Sequence, residues 1–260
     1  MGLPDLQDQR DRRGVRLDAV GVAGVRYPVR FDDGDTSGHG VAEIDITVAL
    51  GAQRRGTHMS RMIEIIHDQL QVVDPRGFPQ LLKAAAYRLD VEAVKLQVAM
   101  PLSFTVVAPE SQRESYETCD VAIAGSLHAG VTDVVTTLST QVMSLCPCSK
   151  AISDYGAHNQ RSVVRLSAEG SGDDSYPLPV RAAFDLIRST GSSPVYPIIK
   201  RIDERNLTMH AHDHPAFVED MARDLSLGCR SRGVGHEIQV RNLESIHSHD
   251  AIATVAWKTP

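Results

Sequence analysis

The sequence predicts an α+β protein built on antiparallel sheets. Two observations carry this prediction. Segments whose apolar residues alternate with polar ones occur in groups, and segments with helical spacing separate those groups rather than single strands. The order of strands, then helices, then strands occurs twice along the 260 residues, although no residue-level repeat accompanies it. Alternating βαβ units, which build parallel sheets, are therefore not expected.

The first half of the chain predicts one module, residues 15–110, behind a polar tail of residues 1–14. Apolar spacing places a helix start at Gly56-Thr57-His58-Met59-Ser60-Arg61, because the apolar positions from 59 to 73 follow a helical period. Pro101 interrupts the clearest strand pattern, which predicts an edge position or a bulge there. The predicted elements, in order, are strands over 20–29 and 43–50, helices from 59 and over about 79–90, and a strand over 94–106.

The second half predicts another module, residues 111–260, with a boundary that is only approximate. The stretch 169–175, rich in Gly, Ser and Asp, predicts a solvent loop. A helix is predicted to begin at Asp213-His214-Pro215, since Asp can cap a helix and proline is tolerated in its first turn, and to stop at Gly228. The other predicted elements are strands over 117–128, 132–145, 237–242 and 251–257, short strands or extended pieces over 162–166 and 195–199, and a helix over 182–188.

Composition excludes several functional classes. The net charge of -6, from 27 Lys and Arg against 33 Asp and Glu, argues against sequence-independent nucleic-acid binding, so an anionic ligand needs a local basic patch. The N-terminal residues lack the apolar core of a signal peptide, and no apolar run reaches the roughly 18 residues of a membrane span. We expect a cytoplasmic protein with reduced thiols and no membrane partner.

Two of the four cysteines stand in the tripeptide Cys146-Pro147-Cys148, directly after a predicted strand. Pro147 fixes one backbone angle and the cysteines are too close for an easy disulfide, which favours two free thiols with separate roles. No second CxxC or HxxxH pair is present for a structural zinc site. With His158 nearby, the set fits a catalytic metal with an open position. The alternative is that both cysteines are small buried hydrophobic residues.

Other polar clusters have ordinary interpretations from sequence alone. The charged run 200–204 is typical of a solvated turn. Histidines 210, 212 and 214 would share one face of an extended strand, as a metal or phosphate patch, but an exposed loop is favoured. Glu219 lies about 130° from the apolar stripe of its helix, at about 100° per residue, and is expected on the surface. Three titratable residues, Glu244, His247 and His249, fall between two strands and are candidates for a functional site.

Taken together, six motifs resemble the prokaryotic type IB GTP cyclohydrolases. They occur in the family's order from about residue 15 to the C-terminus, and CPCSK followed by YGAHNQR is highly specific. Two departures, Ile202 where proline is common and a long insertion at 169–175, touch no proposed ligand. The motifs are GTHMSR at 56–61, CPCSK at 146–150, YGAHNQRS at 155–162, KRIDE at 200–204, FVEDM at 217–221 and NLESIHSHDA at 242–251.

The resemblance implies a tunnelling fold, in which two tandem modules of antiparallel sheet each pack with a pair of antiparallel helices. It also implies a homotetramer with active sites at subunit interfaces. The implied reaction converts GTP and water to 7,8-dihydroneopterin triphosphate and formate. The product feeds tetrahydrofolate and, in some organisms, queuosine-type deazapurine synthesis.

The resemblance further implies a metal centre and catalytic groups. Cys146, His158 and Glu204 would hold a divalent metal, such as zinc, manganese or iron, that activates water for attack on C8 of guanine. Cys146 and Cys148 match the two essential thiols, the second facing the substrate. His247 and His249 are similar to histidines placed for proton transfer, which suits a group that titrates near neutrality.

Substrate contacts are implied in the same way. Glu219 matches the carboxylate that accepts the N1 and N2 hydrogens of guanine. Five cations are candidates for the triphosphate, because an acidic protein must concentrate positive charge locally. They are Arg61, Lys150, Arg161, Lys200 and Arg201.

Two other functions compete with this interpretation. A tunnelling-fold nitrile reductase of a 7-deazaguanine would need a nucleophilic cysteine and a nicotinamide cofactor but no metal, so metal analysis discriminates. A protein that binds metal or purine without turnover would release no formate. The histidines at 247 and 249 favour an enzyme, because a binding protein has no need of proton-transfer groups.

Overall fold

A computed structural model describes residue 7 and residues 9–259 of the chain. These residues form an α+β fold of ten strands, six α-helices and one 3₁₀ turn at Pro75–Gly77, which confirms the predicted fold class. The strands are β1 Leu17–Asp32, β2 Ser37–Leu50, β3 Val72–Val73, β4 Val94–Val107, β5 Glu114–His128, β6 Val131–Leu145, β7 Asn159–Ser171, β8 Ser193–Pro194, β9 Gly235–Asn242 and β10 Ala251–Trp257. The helices are α1 Met59–Gln69, α2 Phe78–Leu89, α3 Pro147–Ile152, α4 Val180–Arg188, α5 Arg201–Asp213 and α6 Val218–Arg230.

The first of two compact units contains the described residues up to Met100, with Ala122–Thr136 and Glu169–Tyr176. Its strand order is β6-β5-β4-β2-β1-β3. Strands β1 and β2 pair antiparallel, whereas the two-residue strand β3 pairs with β1 in parallel. Helix α1 buries Met62, Ile65 and Ile66, while Ile63, which the spacing placed on the apolar face, is 38% exposed. The helix start predicted at Met59 is confirmed.

The second unit contains Pro101–Val121, Thr137–Ala168 and Pro177–Pro260, of which residues up to 259 are described. Its strand order is β10-β9-β7-β6-β5-β4. Helix α6 packs against β9 and β10 and contacts α4. A Cβ at Gly228 would lie 2.7 Å from Leu186 Cδ1, so glycine permits this close approach of α6 to α4. All the candidate site residues except Arg61, which lies on α1, belong to this unit.

The prediction of an edge position at Pro101 was wrong. Strand β4 continues through the proline and lies between β5 and β2. The ladder that joins it to β2 covers Val94–Ala99 only. Pro101 therefore lies beyond this ladder, where its missing N–H removes no bond to β2.

The segment 200–230 differs most from the sequence predictions. The charged run predicted as a turn opens α5, and two of the three histidines assigned to a loop lie in the last turn of the same helix. Asp213 ends α5 instead of starting the next helix, which begins at Val218 and continues past Gly228 to Arg230. The weak amphipathicity of α5, which buries only Asp203 and Ala211, explains why spacing did not find it.

Two further predictions need comment. Residues 169–171 of the predicted solvent loop belong to β7, and Ser175 at its far end is buried. The predicted polar tail lies outside the described residues at positions 1–6 and 8. Within the described range, Asp11 accepts hydrogen bonds from the backbone and the guanidinium of Arg13. None of the described helices has the length and apolar character needed to cross a membrane.

Candidate functional site

The two thiols of the CPC tripeptide lie where β6 ends and α3 begins. Cys146 is the N-cap residue of α3, and its Sγ accepts a hydrogen bond from Ser149 N at 3.5 Å. Cys146 is half-buried and Cys148 is exposed. The other two cysteines are buried, and burial raises the pKa of the Cys119 and Cys229 thiols to about 11. Of the four free thiols, only Cys146 and Cys148 are therefore placed for chemistry at a surface.

His158 lies beside Cys146. The backbone N–H of Cys146 donates to His158 O at 3.1 Å, and Ser149 Oγ accepts from His158 N at 3.2 Å. The imidazole is 13% exposed, with Nδ1 2.7 Å from Gln160 Oε1 and 4.0 Å from Glu244 Oε2. A backbone hydrogen bond thus places Cys146 of the CPCSK motif next to His158 of the YGAHNQR motif.

A chain of buried hydrogen bonds runs beneath this site. Ser162 Oγ donates to Asn242 Oδ1 at 2.6 Å, Asn242 Nδ2 donates to Ser144 Oγ at 3.1 Å, and Ser144 Oγ donates to Ala216 O at 2.8 Å. Ser162, Asn242 and Ser144 are all at most 3% exposed. Two of these residues stand in the recognised motifs, yet sequence reasoning assigned them no role. The sequence signal that could have found them is an uncharged polar residue at a strand position that the alternation predicts to face inward.

The end of β6 also anchors the segments that lead into α5 and α6. Leu145 N donates to Ser192 Oγ at 3.0 Å, in the stretch before α5. Leu145 O accepts from Ala216 N at 3.1 Å, two residues before α6. One strand end therefore positions Cys146, the entry to α6 and the segment that follows α4.

The first turn of α5 carries two adjacent carboxylates in opposite environments. Asp203 is fully buried and accepts from the backbone N–H groups of Glu110, Ser111 and Lys200 at 2.8–2.9 Å. Burial by itself raises the pKa of Asp203, but these hydrogen bonds outweigh it and hold the pKa well below its usual range. Glu204, the next residue, is exposed. Asp203 therefore fixes the helix start, while the Glu204 side chain stays exposed.

A pocket of about 260 Å³ lies along α5 in the same unit. Glu204 and Thr208 line it from α5, and Asn159 lines it from β7. Asn159 follows His158 directly, and its buried Oδ1 has no hydrogen-bond partner among the described residues. Asn159, the residue after His158, thus lines the same pocket as Glu204.

Glu219 is exposed on the first turn of α6, as the sequence predicts. Its neighbour Asp220 accepts from Phe217 N at 3.1 Å and pairs with Arg223 at 3.6 Å. The carboxylate of Glu219 is therefore free to face a ligand, next to an aspartate that fixes the helix start.

The two histidines assigned to proton transfer lie in the connection between β9 and β10. The rings of His247 and His249 are nearly parallel, with centroids 5.1 Å apart, and both residues are exposed. Leu243 N, at the start of this connection, donates to Arg161 O at 2.9 Å. The connection is therefore tied to β7, the strand that begins directly after His158.

The candidate phosphate-binding cations differ in how far they are engaged. Lys150 Nζ donates to the backbone carbonyl of His212 in the last turn of α5. Arg161 is exposed on β7, and Lys200 and Arg201 are exposed at the start of α5. Arg161 thus lies three residues after His158, and Lys200 and Arg201 lie within four residues of Glu204.

Comparisons with known proteins match this chain over almost its full length. The family described as type I GTP cyclohydrolase folE2 matches residues 3–253. The chain belongs to this family. The GTP cyclohydrolase FolE2 of Cupriavidus pinatubonensis is 36% identical over 255 residues, covering 97% of this chain and 93% of the relative. That of Methylococcus capsulatus is 36% identical over 258 residues, covering 98% and 95%.

Solved structures support the fold of this GTP cyclohydrolase family member. A uricase from Arthrobacter globiformis superposes with a TM-score of 0.50 at 9% identity, covering 93% of each chain. A uricase from Bacillus fastidious gives a TM-score of 0.51 at 10% identity, covering 95% of this chain and 94% of the other. These proteins share the tunnelling fold, which confirms the fold that the motifs implied.

The donor set only partly matches the metal centre that the family implies. A thiol and an imidazole are the commonest protein ligands of zinc, and Cys146 and His158 are adjacent. In residue 7 and residues 9–259, however, no group of three or more His, Cys, Asp or Glu side chains converges to hold an ion. Cys146 and His158 therefore fit two donors of a metal site. Glu204, which lines the same pocket as Asn159, is the candidate for the third.

Proposed function

We propose that the end of β6, with α3, β7 and the starts of α5 and α6, converts GTP and water to 7,8-dihydroneopterin triphosphate and formate. The observation that carries this proposal is the backbone hydrogen bond that joins Cys146 to His158 at the end of β6. An exposed second thiol, Cys148, lies beside this pair. Membership of the GTP cyclohydrolase family supplies the substrate and the reaction.

Cys146, His158 and Glu204 would hold the divalent metal on which enzymes of this family depend. Zinc, manganese and iron all accept this combination of sulfur, nitrogen and oxygen donors. When bound, such an ion supplies Lewis-acid activation of water and of the guanine imidazole ring. Asp203 supports Glu204 in this role, because its three backbone hydrogen bonds fix the turn on which Glu204 stands.

The second thiol and the histidine pair act on the substrate. Cys148, exposed two residues after Cys146, faces the reacting carbon. His247 and His249 move protons at the ring nitrogen as the C8–N9 bond opens and formate leaves. Their rings stack with centroids 5.1 Å apart, so both imidazoles stand in the same exposed connection, within reach of one substrate.

Recognition of GTP is divided between base and phosphates. Glu219 accepts two parallel N–H bonds from the guanine edge, which is the geometry of a strong charge-assisted pair. Arg61, Lys150, Arg161, Lys200 and Arg201 hold the triphosphate. Lys150 Nζ donates to the backbone carbonyl of His212 in α5, so Lys150 would exchange this partner for a phosphate when GTP binds.

The same proposal includes a homotetramer with active sites at subunit interfaces, and a cytoplasmic location where thiols stay reduced. Folate synthesis, and queuosine synthesis in some organisms, would consume the product. Size-exclusion chromatography with light scattering tests the assembly, because a monomeric mass at assay concentration contradicts the tetramer.

Metal removal and reconstitution test the function directly. Purified protein is stripped with chelator, restored with Zn²⁺, Mn²⁺ or Fe²⁺ one at a time, and given GTP. We expect formate together with a product that oxidises to a fluorescent pterin, in amounts that depend on the metal. GTP that stays intact with every metal contradicts the proposal, and the deazaguanine nitrile reductase or the binding protein then becomes the better interpretation.

Two alanine variants separate the thiols. Cys146→Ala should lose both metal and turnover, because it removes a ligand. Cys148→Ala should keep the metal and lose turnover, because its thiol addresses the substrate. Metal content by mass spectrometry and formate release measure the two effects. An exchange of these two outcomes would reverse the assigned roles, and a Cys148→Ala protein of normal rate would remove that thiol from the mechanism.

A further inference from the structure

Gln160 is a buried amide directed at the imidazole of His158. The residue is 6% exposed on β7, and its Oε1 lies 2.7 Å from His158 Nδ1. Ser245 Oγ donates to the same oxygen at 3.4 Å. Neither the metal ligands nor the groups assigned to the substrate include this residue. A buried amide whose oxygen lies against one ring nitrogen of a proposed metal ligand calls for an explanation.

The direction of this hydrogen bond decides which nitrogen of His158 faces a metal. An amide oxygen only accepts, so Nδ1 must carry the hydrogen. In a neutral imidazole the lone pair is then on Nε2, and only a nitrogen with a lone pair can bind a metal ion. Gln160 thereby removes Nδ1 from consideration as a ligand and prepares Nε2.

The competing acceptor is farther away. Glu244 Oε2 lies 4.0 Å from Nδ1, beyond hydrogen-bond distance, although both side chains are mostly buried. The acceptor is therefore a neutral amide rather than a carboxylate. A neutral acceptor orients the ring without the increase in basicity that a carboxylate gives to a metal-bound histidine.

Gln160 also joins two parts of the site. Ser245 stands in the connection between β9 and β10, two residues before His247. The oxygen that orients His158 is thus shared with the segment that carries the proposed proton-transfer groups. A single amide couples the position of a metal ligand to that segment.

We propose that Gln160 is a positioning residue for metal binding, which selects the Nδ1–H tautomer of His158 and fixes the direction of Nε2. This inference rests on the proposed function, because it takes His158 as a metal ligand. It concerns the affinity and the geometry of the site and assigns Gln160 no contact with substrate.

The test compares metal affinity in three variants of the full-length protein. Gln160→Met keeps the volume and removes the acceptor, Gln160→Glu keeps an acceptor at the same reach, and Gln141→Met makes the same change at a half-buried position of β6 away from His158. Zinc affinity is measured by competition with a chromogenic chelator. We expect Gln160→Met to bind about 10- to 100-fold more weakly, which is the usual effect of removing a partner of a metal-bound histidine. Gln160→Glu should bind at least as tightly as the wild type, and Gln141→Met should match it.

Equal affinity of Gln160→Met and the wild type would overturn the inference, as would equal losses in Gln160→Met and Gln160→Glu. A second measurement needs no substitution at Gln160. Long-range ¹H–¹⁵N correlations of the metal-free wild type, assigned with a His158→Gln sample, should show the proton of the His158 ring on Nδ1. A proton on Nε2 would also overturn the inference.

The same samples distinguish this inference from the proposed function. If the wild type leaves GTP intact with every metal, the proposed function fails, whatever the affinity of Gln160→Met. If Cys146→Ala loses zinc and the wild type turns over GTP while Gln160→Met is unchanged in affinity, only the role of Gln160 fails.

Discussion

Helices α5 and α6 both begin with an aspartate that turns back onto the N–H group three residues earlier. Asp203 accepts from Lys200 N at 2.8 Å, and Asp220 accepts from Phe217 N at 3.1 Å. Each aspartate has an exposed glutamate as its neighbour in the chain, Glu204 after Asp203 and Glu219 before Asp220. The same local arrangement thus presents both of the carboxylates that we assign to ligands.

The two aspartates differ in burial and in reach. Asp203 is fully buried and also binds the Glu110 and Ser111 N–H groups of a distant loop, whereas the Asp220 side chain is 44% exposed and its other partner, Arg223, is on its own helix. A metal ligand must be held to a fraction of an ångström, but a carboxylate that clamps a planar base can adjust with the ligand. The difference in anchoring corresponds to this difference in task.

The largest effect should separate the two glutamates. Glu204→Gln should weaken metal binding more than about 100-fold, because even mutation of a residue that only supports a metal ligand lowers metal affinity about 10- to 100-fold. Glu219→Gln should leave metal binding intact and weaken GTP by about 10- to 100-fold, since an amide N–H₂ would face a ligand N–H donor. Chelator competition and equilibrium GTP binding measure the two constants. Loss of metal in Glu219→Gln would mean that the two helix starts do not have separate tasks.

The next effect should separate the two aspartates. In Asp203→Asn an amide replaces the carboxylate that accepts from three N–H groups, and its single oxygen can satisfy only part of these donors. We therefore expect a clear fall in Tm and weaker metal binding through Glu204. Asp220→Asn should cost less than about 1 kcal/mol, because the amide oxygen can still accept the one backbone bond from Phe217 N. Thermal and urea unfolding of both variants provide the comparison. Equal losses would show that the buried hydrogen bonds to Glu110 and Ser111 contribute nothing.

The pH dependence of stability gives a smaller and more specific effect. The pKa of Asp203 is lowered in the folded protein, so its ionised form stabilises the fold above its unfolded pKa of about 4, and this contribution is lost as pH falls below that value. The stability difference between wild type and Asp203→Asn should therefore be constant from pH 7 to about 5 and should narrow below about pH 4. Denaturant titrations across this range measure it. A difference that widens on acidification would contradict the assigned environment of Asp203.

The smallest effect is expected at the exposed partner of Asp220. Arg223 lies 3.6 Å from Asp220 with a side chain 72% exposed, so Arg223→Met should change the free energy of unfolding by less than about 0.5 kcal/mol. Urea unfolding at low and high salt tests this. A salt-sensitive loss above 1 kcal/mol would show that the start of α6 depends on this ion pair, and the contrast with α5 would be weaker than we describe.

Sequence patterns predicted the strands and most helices because burial on one face leaves a period. The alternation of Ile44, Ile46, Val48 and Leu50 corresponds to buried positions of β2, and the spacing from Met59 corresponds to α1. Helix α5 escaped because its buried residues are an aspartate and an alanine, so the signal that spacing detects is absent. Its local signal was the acidic first turn, which a charged loop shares.

For the site, the motifs indicated which residues matter but not what each does. Cys146, Cys148 and His158 were singled out by their density alone, and the structure places Cys146 and His158 together. Asp203 and Glu204 are indistinguishable as letters, since the burial of one and the exposure of the other arise from a loop more than ninety residues earlier in the chain. Gln160 was invisible for the same reason: its role is a contact with the side chain two residues before it, which no pattern records.

The last two residues of β6 have a mechanical consequence for this site. Ser144 and Leu145 bind both polar groups of Ala216, so the entry to α6 shares an origin with Cys146. A shift of this strand end would carry the thiol and the start of α6 in the same direction. The distances among the reacting groups would then change less than the position of any one of them. Chemistry that depends on relative spacing is thus insulated from motion of the sheet that supports it.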